Sequence, residues 1–486
     1  FAKFCKTFCK AQPGREPCPL QRDFAGIPIL QNSETGRSRS MKTTALLLLC
    51  KLLSRIGRLI GKGSSLPGRI ALRLDPGILS RIRLPEYVAA VTGSNGKTST
   101  VEMIAHVLRQ SGRTVAYNRE GSNQIEGIAT VLLNDCDWQG RVRSDIVLLE
   151  SDERFARHTF RYFTPTHYVI TNLYRDQLTR NGHPEWVYDI LRESIHDGTR
   201  LILNADDPLV SCFGDGREDT VWFGVERTEF SEDANSGVYD DGRYCPRCKS
   251  PMRYDYYHFN HIGKYRCTGC GLARHDPDFA VTQVGSAQEY IVINGKHRID
   301  MAFPGIYHCY NALAAFSLCS LLGVSGEETA AALNGYLLRN GRVVTFRLGD
   351  RRGTLLASKH ENSVSYDQSI RVAVQDPRDV SVLIFVDSIS RKYFTSETSW
   401  LWDIDFERLN APNIREILLA GRYCADLAVR FSRTGIPESK LFLYEDIAQA
   451  VRHFRTHGKG YLYVITCFSD KGKFLETADV EKEDLP

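Results

Sequence analysis

From Tyr87 onward the chain alternates short apolar runs with amphipathic stretches, and each apolar run ends in polar residues. The runs "YVAAVTG", "TVAYNREGSN", "DIVLLESDE", "THYVITNL" and "RLILNADDP" read as strands. "VEMIAHVLRQ", following the first of them, reads as a helix. Strands alternating with helices predict a parallel α/β sheet, whose ligands gather beyond the carboxyl ends of the strands. Between residues 238 and 277 the pattern gives way to aromatic, cysteine-rich, short-turned sequence, and helical character returns over 310–322. After Gly341 and Arg342 a second α/β unit begins. Its strands are expected at "SVLIFVD" and "YLYVIT", its helices at "IREILLAG" and "DIAQAVRHFRTHG". The predicted layout is one α/β domain over 85–338 with an insertion at 240–278, and a second over 339–486.

The N-terminal part follows neither pattern. Residues 1–40 mix Cys, Pro, Arg and Ser without periodicity and hold no methionine before Met41, so they are expected to be an extension foreign to the fold. Within 41–84 a leucine-rich run is interrupted by Lys51, Arg55 and Arg58 at helical spacing. That predicts an amphipathic basic helix rather than a signal peptide. Packing against its own domain is the first expectation for this helix, and contact with a membrane surface the second. No run of about eighteen apolar residues occurs, so no transmembrane helix is predicted.

Composition changes this picture little. With 42% hydrophobic and 25% charged residues among 486, the chain reads as globular, and length suggests about three structural units of roughly 150 residues. A net charge of +4 argues against nucleic acid as a partner. The 14 cysteines are not spaced as a disulfide framework; four form two C-x-x-C pairs. Beside a nucleotide loop, that usage predicts a reducing, cytoplasmic setting.

The chemistry concentrates at strand ends. "VTGSNGKTST", residues 91–100, joins a strand to a helix through two glycines and a Lys-Thr pair. Gly93 and Gly96 let backbone N–H groups close around phosphates, Lys97 can pair with phosphate oxygens, and the Thr98 hydroxyl suits Mg²⁺. Val91 stands where the commonest phosphate loop has a small residue. Glu150 closes a neighbouring strand, where a carboxylate can hold Mg²⁺ directly or through water. Asp152 and Glu153 are either further metal-site acids or solvated loop residues. Asn172, Arg175, Asp176 and Gln177 cluster after another strand, facing a substrate or capping a surface helix. Asp206 and Asp207 are candidate turn caps. Cys245, Cys248, Cys267 and Cys270 form two knuckles around a predicted hairpin, "YDYYHFNHIGKYR". Four thiolates so spaced suit a structural Zn²⁺ with no open position, and His258, His261 and His275 are expected to be ordinary residues rather than ligands.

In this order and spacing, "TGSNGKT", "LLESDE", "TNLYRDQL", "LNADDP", "YHCYNALAA" and "GRVVTF" resemble the Mur ligase superfamily. The cysteine ribbon after "LNADDP", the R-D-Q segment and "SWLWDIDFE" are similar to its MurT branch, the ligase subunits of lipid II isoglutaminyl synthase. The resemblance spans residues 41 to about 475. It implies a phosphate-loop central domain with an inserted Cys₄ zinc ribbon and a C-terminal Rossmann-like α/β domain. It also implies an ATP-dependent carbon–nitrogen ligase using Mg²⁺, and a GatD-type glutamine amidotransferase as partner. Residue by residue, it puts Gly93, Ser94, Asn95, Gly96, Lys97 and Thr98 on the phosphates, and Glu150 with Thr98 on Mg²⁺. Asn311 would lie near adenine, and Arg342 would reach the nucleotide from the second domain. "SKHEN", 358–362, is similar to a segment that places Lys359 at the γ-phosphate. Glu397 matches an acid thought to orient the partner's glutaminase histidine. The chain departs from the MurT pattern at "SKHEN", where K-N-P is usual, and at His308, where Asn is usual.

The implied reaction activates the α-carboxylate of D-glutamate in lipid II as an acyl phosphate, which ammonia then amidates. Triad glutaminases need a nucleophilic Cys on a G-x-C-x-G turn. "VSCFG" at Cys212 misses its first position, and Cys309, Cys424 and Cys467 fit less well, so glutamine hydrolysis is expected of the partner. Three other readings share the loop: another amino-acid or peptide ligase of Mur type, a zinc-ribbon regulatory NTPase on nucleic acid, and a subunit with a dead ATP site.

Overall fold

In a computed structural model the described residues are 36–59, 65–118, 122–177, 181–235, 237–302, 305–337, 342–389 and 397–483. Residues 1–35, most of the segment expected to be foreign to the fold, lie outside them. The first described helix, Gly36–Leu59, starts before Met41, so that methionine does not mark its beginning.

The first sheet is built from β1 (Tyr87–Thr92), β2 (Val115–Tyr117), β3 (Ile146–Glu150), β4 (His167–Ile170), β5 (Arg200–Asn204) and β6 (Val221–Val225). The chain then leaves it for an antiparallel hairpin of β7 (Met252–Phe259) and β8 (Ile262–Cys267). It returns as β9 (Phe279–Val284), β10 (Tyr290–Ile293) and β11 (His297–Asp300). Among the described residues the sheet has nine strands in the order β11-β10-β9-β6-β5-β4-β1-β3-β2. It is parallel from β2 to β9 and antiparallel at β10 and β11. Sequence periodicity did not anticipate β9 to β11, which follow the cysteine-rich insertion directly.

Strand alternation divides the core. Ala89 and Val91 of β1 face helices Lys97–Gln110 and Ile306–Leu321, packing with Val101, Ile104 and Leu313. Val88 and Ala90 face the other way, toward helix Ile125–Asp135 and the N-terminal helices, with Leu132 and Leu47. Leu47, Cys50 and Ser54 are the buried face of helix Gly36–Leu59. Lys51 on that helix donates to the carbonyls of Asn134 and Cys136, at 3.0 and 2.5 Å. Those acceptors sit at the C-terminal end of helix Ile125–Asp135, where a cation offsets unsatisfied carbonyls.

The second sheet comprises β12 (Val343–Leu348), β13 (Arg351–Ser358), β14 (Val380–Phe385), β15 (Ile414–Ala420), β16 (Leu441–Tyr444), β17 (Tyr461–Cys467) and β18 (Glu481–Glu483). Among the described residues it has seven strands ordered β16-β15-β14-β17-β13-β12-β18, parallel from β16 to β13. Here the expected helix at "IREILLAG" is wrong: the segment is β15. It sits between β14 and β16 with only Arg415 exposed, and its apolar residues fill both faces of the sheet. A strand buried on two faces loses its period-two alternation, and a run with Glu and Arg at its start then mimics a helix.

The two sheets are pinned together by ion pairs. Arg175 grips Asp241 through three hydrogen bonds of 2.8–3.1 Å, reaches Asp403 at 3.3 Å, and lies over the Tyr239 ring. Glu232 takes Arg371 at 2.9 Å and Arg408 at 3.1 Å from the second domain. Beside them, on helix Ser363–Gln375, Asp367 accepts the Asp405 N–H at 2.8 Å. Burial pushes its carboxyl up to about 8, against the opposing pull of that N–H and of Arg408 and Arg371. The folded protein thus keeps a proton that the unfolded chain loses above about pH 4, so stability falls as pH rises toward 8. Asp367→Asn keeps the acceptor and removes the titration. Melting temperature against pH is expected to flatten over that window, with the variant the more stable at its alkaline end; an unchanged slope would contradict this.

Candidate active site

The phosphate loop is shaped by two glycines that no other residue could replace. Gly93 has φ +134°, and a side chain there would collide with the Thr171 hydroxyl and the Asn172 backbone. Gly96 has φ +86°, and a Cβ would strike the Asn311 carboxamide. Lys97 then opens helix Lys97–Gln110, whose first N–H groups have no intrahelical acceptor and point toward the loop's ligand. Asn172 fixes the loop from β4: its side-chain oxygen accepts the Asn95 N–H at 2.8 Å and its amide reaches the Asn95 carbonyl at 3.2 Å. Ser94 turns away from this cradle. Its hydroxyl exchanges hydrogen bonds of 3.0 Å with the backbone of Tyr174.

A cavity of about 950 Å³ opens over the loop, at the carboxyl ends of both sheets. Asn95, Gly96, Lys97, Thr98, Glu150 and Asn311 reach it from the first domain, Arg342 and Lys359 from the second. Lys97 is buried, bonded to the Gly93 carbonyl and the Glu153 carboxylate. Burial alone would lower its pKa, but Glu153, Asp176 and Glu150 together hold it above the usual lysine value. Burial raises the Glu153 carboxyl despite Lys97. Lys359 donates to the Ser94 carbonyl at 2.8 Å and to Asp176 at 3.2 Å. Burial lowers its pKa, with Asp176 opposing the shift. Arg342 is lowered in the same way, opposed by Glu150, Asp176 and Glu102.

Glu150 fits a cation. Its backbone N–H is held by Asn118 at 2.8 Å, one carboxylate oxygen takes Asn123 at 3.3 Å, and the other, Oε2, is buried with no hydrogen-bond partner among the described residues. Thr98 lines the same cavity. An anionic oxygen buried in that state is costly unless a cation meets it. Asp152 also lines the cavity, while Asp206 and Asp207 do not. Asp207 caps helix Pro208–Ser211 and accepts the Leu173 N–H, as its reading as a turn cap implied. Asp206 takes Tyr310, Arg274 and the Val225 N–H.

The cysteine cluster stands apart from the cavity. The sulfurs of Cys245, Cys248, Cys267 and Cys270 all lie within 4.8 Å of one another. A tetrahedral zinc with sulfurs at about 2.3 Å needs sulfur–sulfur distances of roughly 3.8 Å, so the donor set fits. Tyr265 of the ribbon donates to Ser211 at 2.6 Å, tying it to the first domain. His258 and His261 are hydrogen-bonded or paired within the fold, and His275 stacks on Trp222. Metal analysis is expected to return one zinc per chain, and Cys245→Ser or Cys270→Ser to lower the melting temperature by several degrees. A metal-free preparation of unchanged stability would contradict the assignment.

The sequence is similar to known proteins along almost its whole length. The Mur ligase middle domain matches residues 91–247, and the MurT ligase C-terminal domain matches 360–470. The MurT subunit of lipid II isoglutaminyl synthase (glutamine-hydrolyzing) from Streptococcus pneumoniae (strain ATCC BAA-255 / R6) is 30% identical over 451 residues. The match covers 90% of this chain and 97% of that one. The chain belongs to the MurT family. The MurT subunit from Staphylococcus aureus (strain COL) is 29% identical over 441 residues, covering 90% of this chain and 98% of that one. In fold, a pseudomurein peptide ligase type C from Methanothermus fervidus superposes with a TM-score of 0.63 at 21% identity, covering 83% of this chain and 80% of that one. MurF from Acinetobacter baumannii gives 0.59 at 16% identity, covering 85% and 79%. As a MurT-type Mur ligase, the chain is an ATP-dependent ligase.

Within this MurT-family site, one feature escaped sequence reasoning. Asn362 exchanges hydrogen bonds with Asn95, at 3.0 and 3.1 Å, and donates to Asp176 at 2.7 Å. It thus brings the second domain onto the phosphate loop. Its place at the end of "SKHEN" was the only available signal. Asn311, expected near adenine, packs its carboxamide against Gly96 and accepts from Thr100 at 3.5 Å. His308 also lines the cavity; burial and Arg342 push it down to about 4. Its ring is neutral at physiological pH, so it can donate and accept as the usual Asn would. Glu397 lies outside the cavity on the surface, where its carboxylate accepts the Ser399 N–H at 2.7 Å. That hydrogen bond holds its pKa below the usual glutamate value.

Proposed function

We propose that this chain amidates the α-carboxylate of D-glutamate in lipid II, making D-isoglutamine through an acyl phosphate. Supporting this is one observation above all: a single cavity joins the phosphate loop, a Glu150 oxygen with no hydrogen-bond partner among the described residues, and two cations from the second domain. The relatives named above are lipid II isoglutaminyl synthase subunits, which supplies the substrate.

A carboxylate is a poor electrophile. Its oxygen attacks the γ-phosphorus of ATP, the bond to the bridging oxygen breaks, and ADP departs. Ammonia then attacks the carbonyl carbon. The bond to the phosphate oxygen breaks, phosphate leaves carrying that oxygen, and the nitrogen sheds a proton. Lys97 and Lys359 offset the negative charge shared between γ-phosphate and carboxylate. Arg342 closes the site from the second domain. Glu150 and Thr98 would hold Mg²⁺, which withdraws charge from the transferring phosphoryl group. Asp176, bonded to Lys359 and Asn362, aligns the second domain over the loop.

Ammonia is mostly protonated at neutral pH, so a neighbouring source is an advantage. Cys212 and Cys309 are poorly suited to supply it: burial pushes Cys212 up to about 11 and Cys309 up to about 12, far from a reactive thiolate. A GatD-type glutaminase is the proposed source, and Glu397 the acid that would orient its histidine, as the carboxylate of a triad does. Glu397→Ala is expected to abolish glutamine-driven amidation and to spare amidation driven by added ammonium. Loss of neither, or equal loss of both, would remove that role. The reading as a whole is tested by supplying lipid II, ATP and ammonium without partner. Amidated lipid II and ADP in equal amounts are expected; ATP turnover without amide would overturn it.

A further inference from the structure

The helix Gly36–Leu59 buries Leu47, Cys50 and Ser54, yet its opposite face is apolar too. Leu48, Leu52 and Ile56 are 50%, 55% and 47% exposed, at i, i+4 and i+8 on one side. Ala45 is exposed beside them. Trp138, 53% exposed, extends the stripe: its carbonyl accepts the Thr44 hydroxyl at 3.2 Å, one turn before Leu48. The Lys51 ammonium stands 5.6 Å over its ring. A surface helix of a water-soluble face would carry charge at these positions.

The charges that do occur have one sign. Between Gly36 and Leu74 the sequence holds three lysines and six arginines without a single Asp or Glu. Exposed Lys42 and Arg55 flank the apolar stripe. The adjoining helix Leu66–Leu74 adds exposed Leu66 and Leu74 together with Arg69. Asp137, next to Trp138, accepts the Gln139 and Arg141 N–H groups, and Asp135 lies near Lys51, but the two helices themselves carry only cations beside the stripe. Apolar side chains in a row on such helices, with an aromatic at the rim, complement an anionic lipid surface, into which the stripe can sink while the basic groups meet headgroups.

We propose that this face docks the protein on an anionic phospholipid bilayer. The helix Leu66–Leu74 packs against the docking helix and lines the active-site cavity with Arg69, so a bilayer held there lies next to the site. Docking on a bilayer involves no turnover and is independent of the proposed reaction.

The test is flotation of the full-length protein with vesicles of phosphatidylglycerol mixed with phosphatidylcholine, against phosphatidylcholine alone. The protein is expected to float with the anionic vesicles and not the neutral ones, and to be released by raised salt. Leu48→Glu, Leu52→Glu and Ile56→Glu combined should reduce binding by about tenfold or more at an unchanged melting temperature. Where the triple variant melts early, Leu52→Glu and Arg55→Glu singly serve the same purpose. Wild-type protein that ignores anionic vesicles would overturn the proposal, as would stripe variants that bind as wild type does. Loss of a co-purifying protein subunit from the stripe variants, with no vesicle binding by wild type, would make the face a protein interface instead and overturn it equally.

Discussion

Lys97→Ala is expected to lower ATP-driven amidation by roughly 10²–10³-fold, the range typical of removing one electrostatic contact from a transferring group. Lys97 is buried against Glu153 and the Gly93 carbonyl at the mouth of the phosphate helix. It is kept charged there by Glu153, Asp176 and Glu150, against the burial that would discharge it. Removing it also leaves Glu153 buried without its cation, which costs stability. Lys97→Met, closer in volume, separates the two effects. Both variants should lose turnover alike, with Lys97→Ala the less stable in a thermal melt. Near-normal turnover by either folded variant would remove the assignment.

Glu150→Ala is the second large loss. Its Oε2 has no hydrogen-bond partner among the described residues and borders the cavity that Thr98 also lines. Turnover is expected to fall by about 10²-fold or more and to recover partly at high Mg²⁺, since the hydroxyl and the phosphates can still share the ion. Removing a buried carboxylate that has one oxygen without a hydrogen bond among the described residues should at the same time leave the melting temperature unchanged or raised. Loss of stability without rescue by Mg²⁺ would make Glu150 a structural residue.

How far the sequence revealed this site depended on how local each constraint is. Gly93 and Gly96 are demanded by contacts and backbone angles within one strand–loop–helix unit, so "TGSNGKT" was readable. The cysteine knuckles carry their spacing on a single hairpin, and their geometry agrees with it. Asn362 and Asp176 were different. Their hydrogen bond joins residues far apart in the chain and exists only once two domains meet, so no local pattern encodes it. Strand β15 failed for another reason. Its Glu416 is buried with Ser381 and near His453, and this tertiary pairing overrides the helical bias of the segment. Likewise, helix Gly36–Leu59 reads in sequence as amphipathic and basic, and only the packed structure distinguishes the leucines that are buried from those that are not.

In the proposed reaction the carboxylate becomes an acyl phosphate before ammonia attacks it. The most direct test uses lipid II whose D-glutamate α-carboxylate carries oxygen-18, with ATP and ammonium, and follows the label by mass spectrometry. One labelled oxygen is expected in the released phosphate for each amide formed, because that oxygen leaves with the phosphoryl group. Amide formed with no label in the phosphate would contradict it.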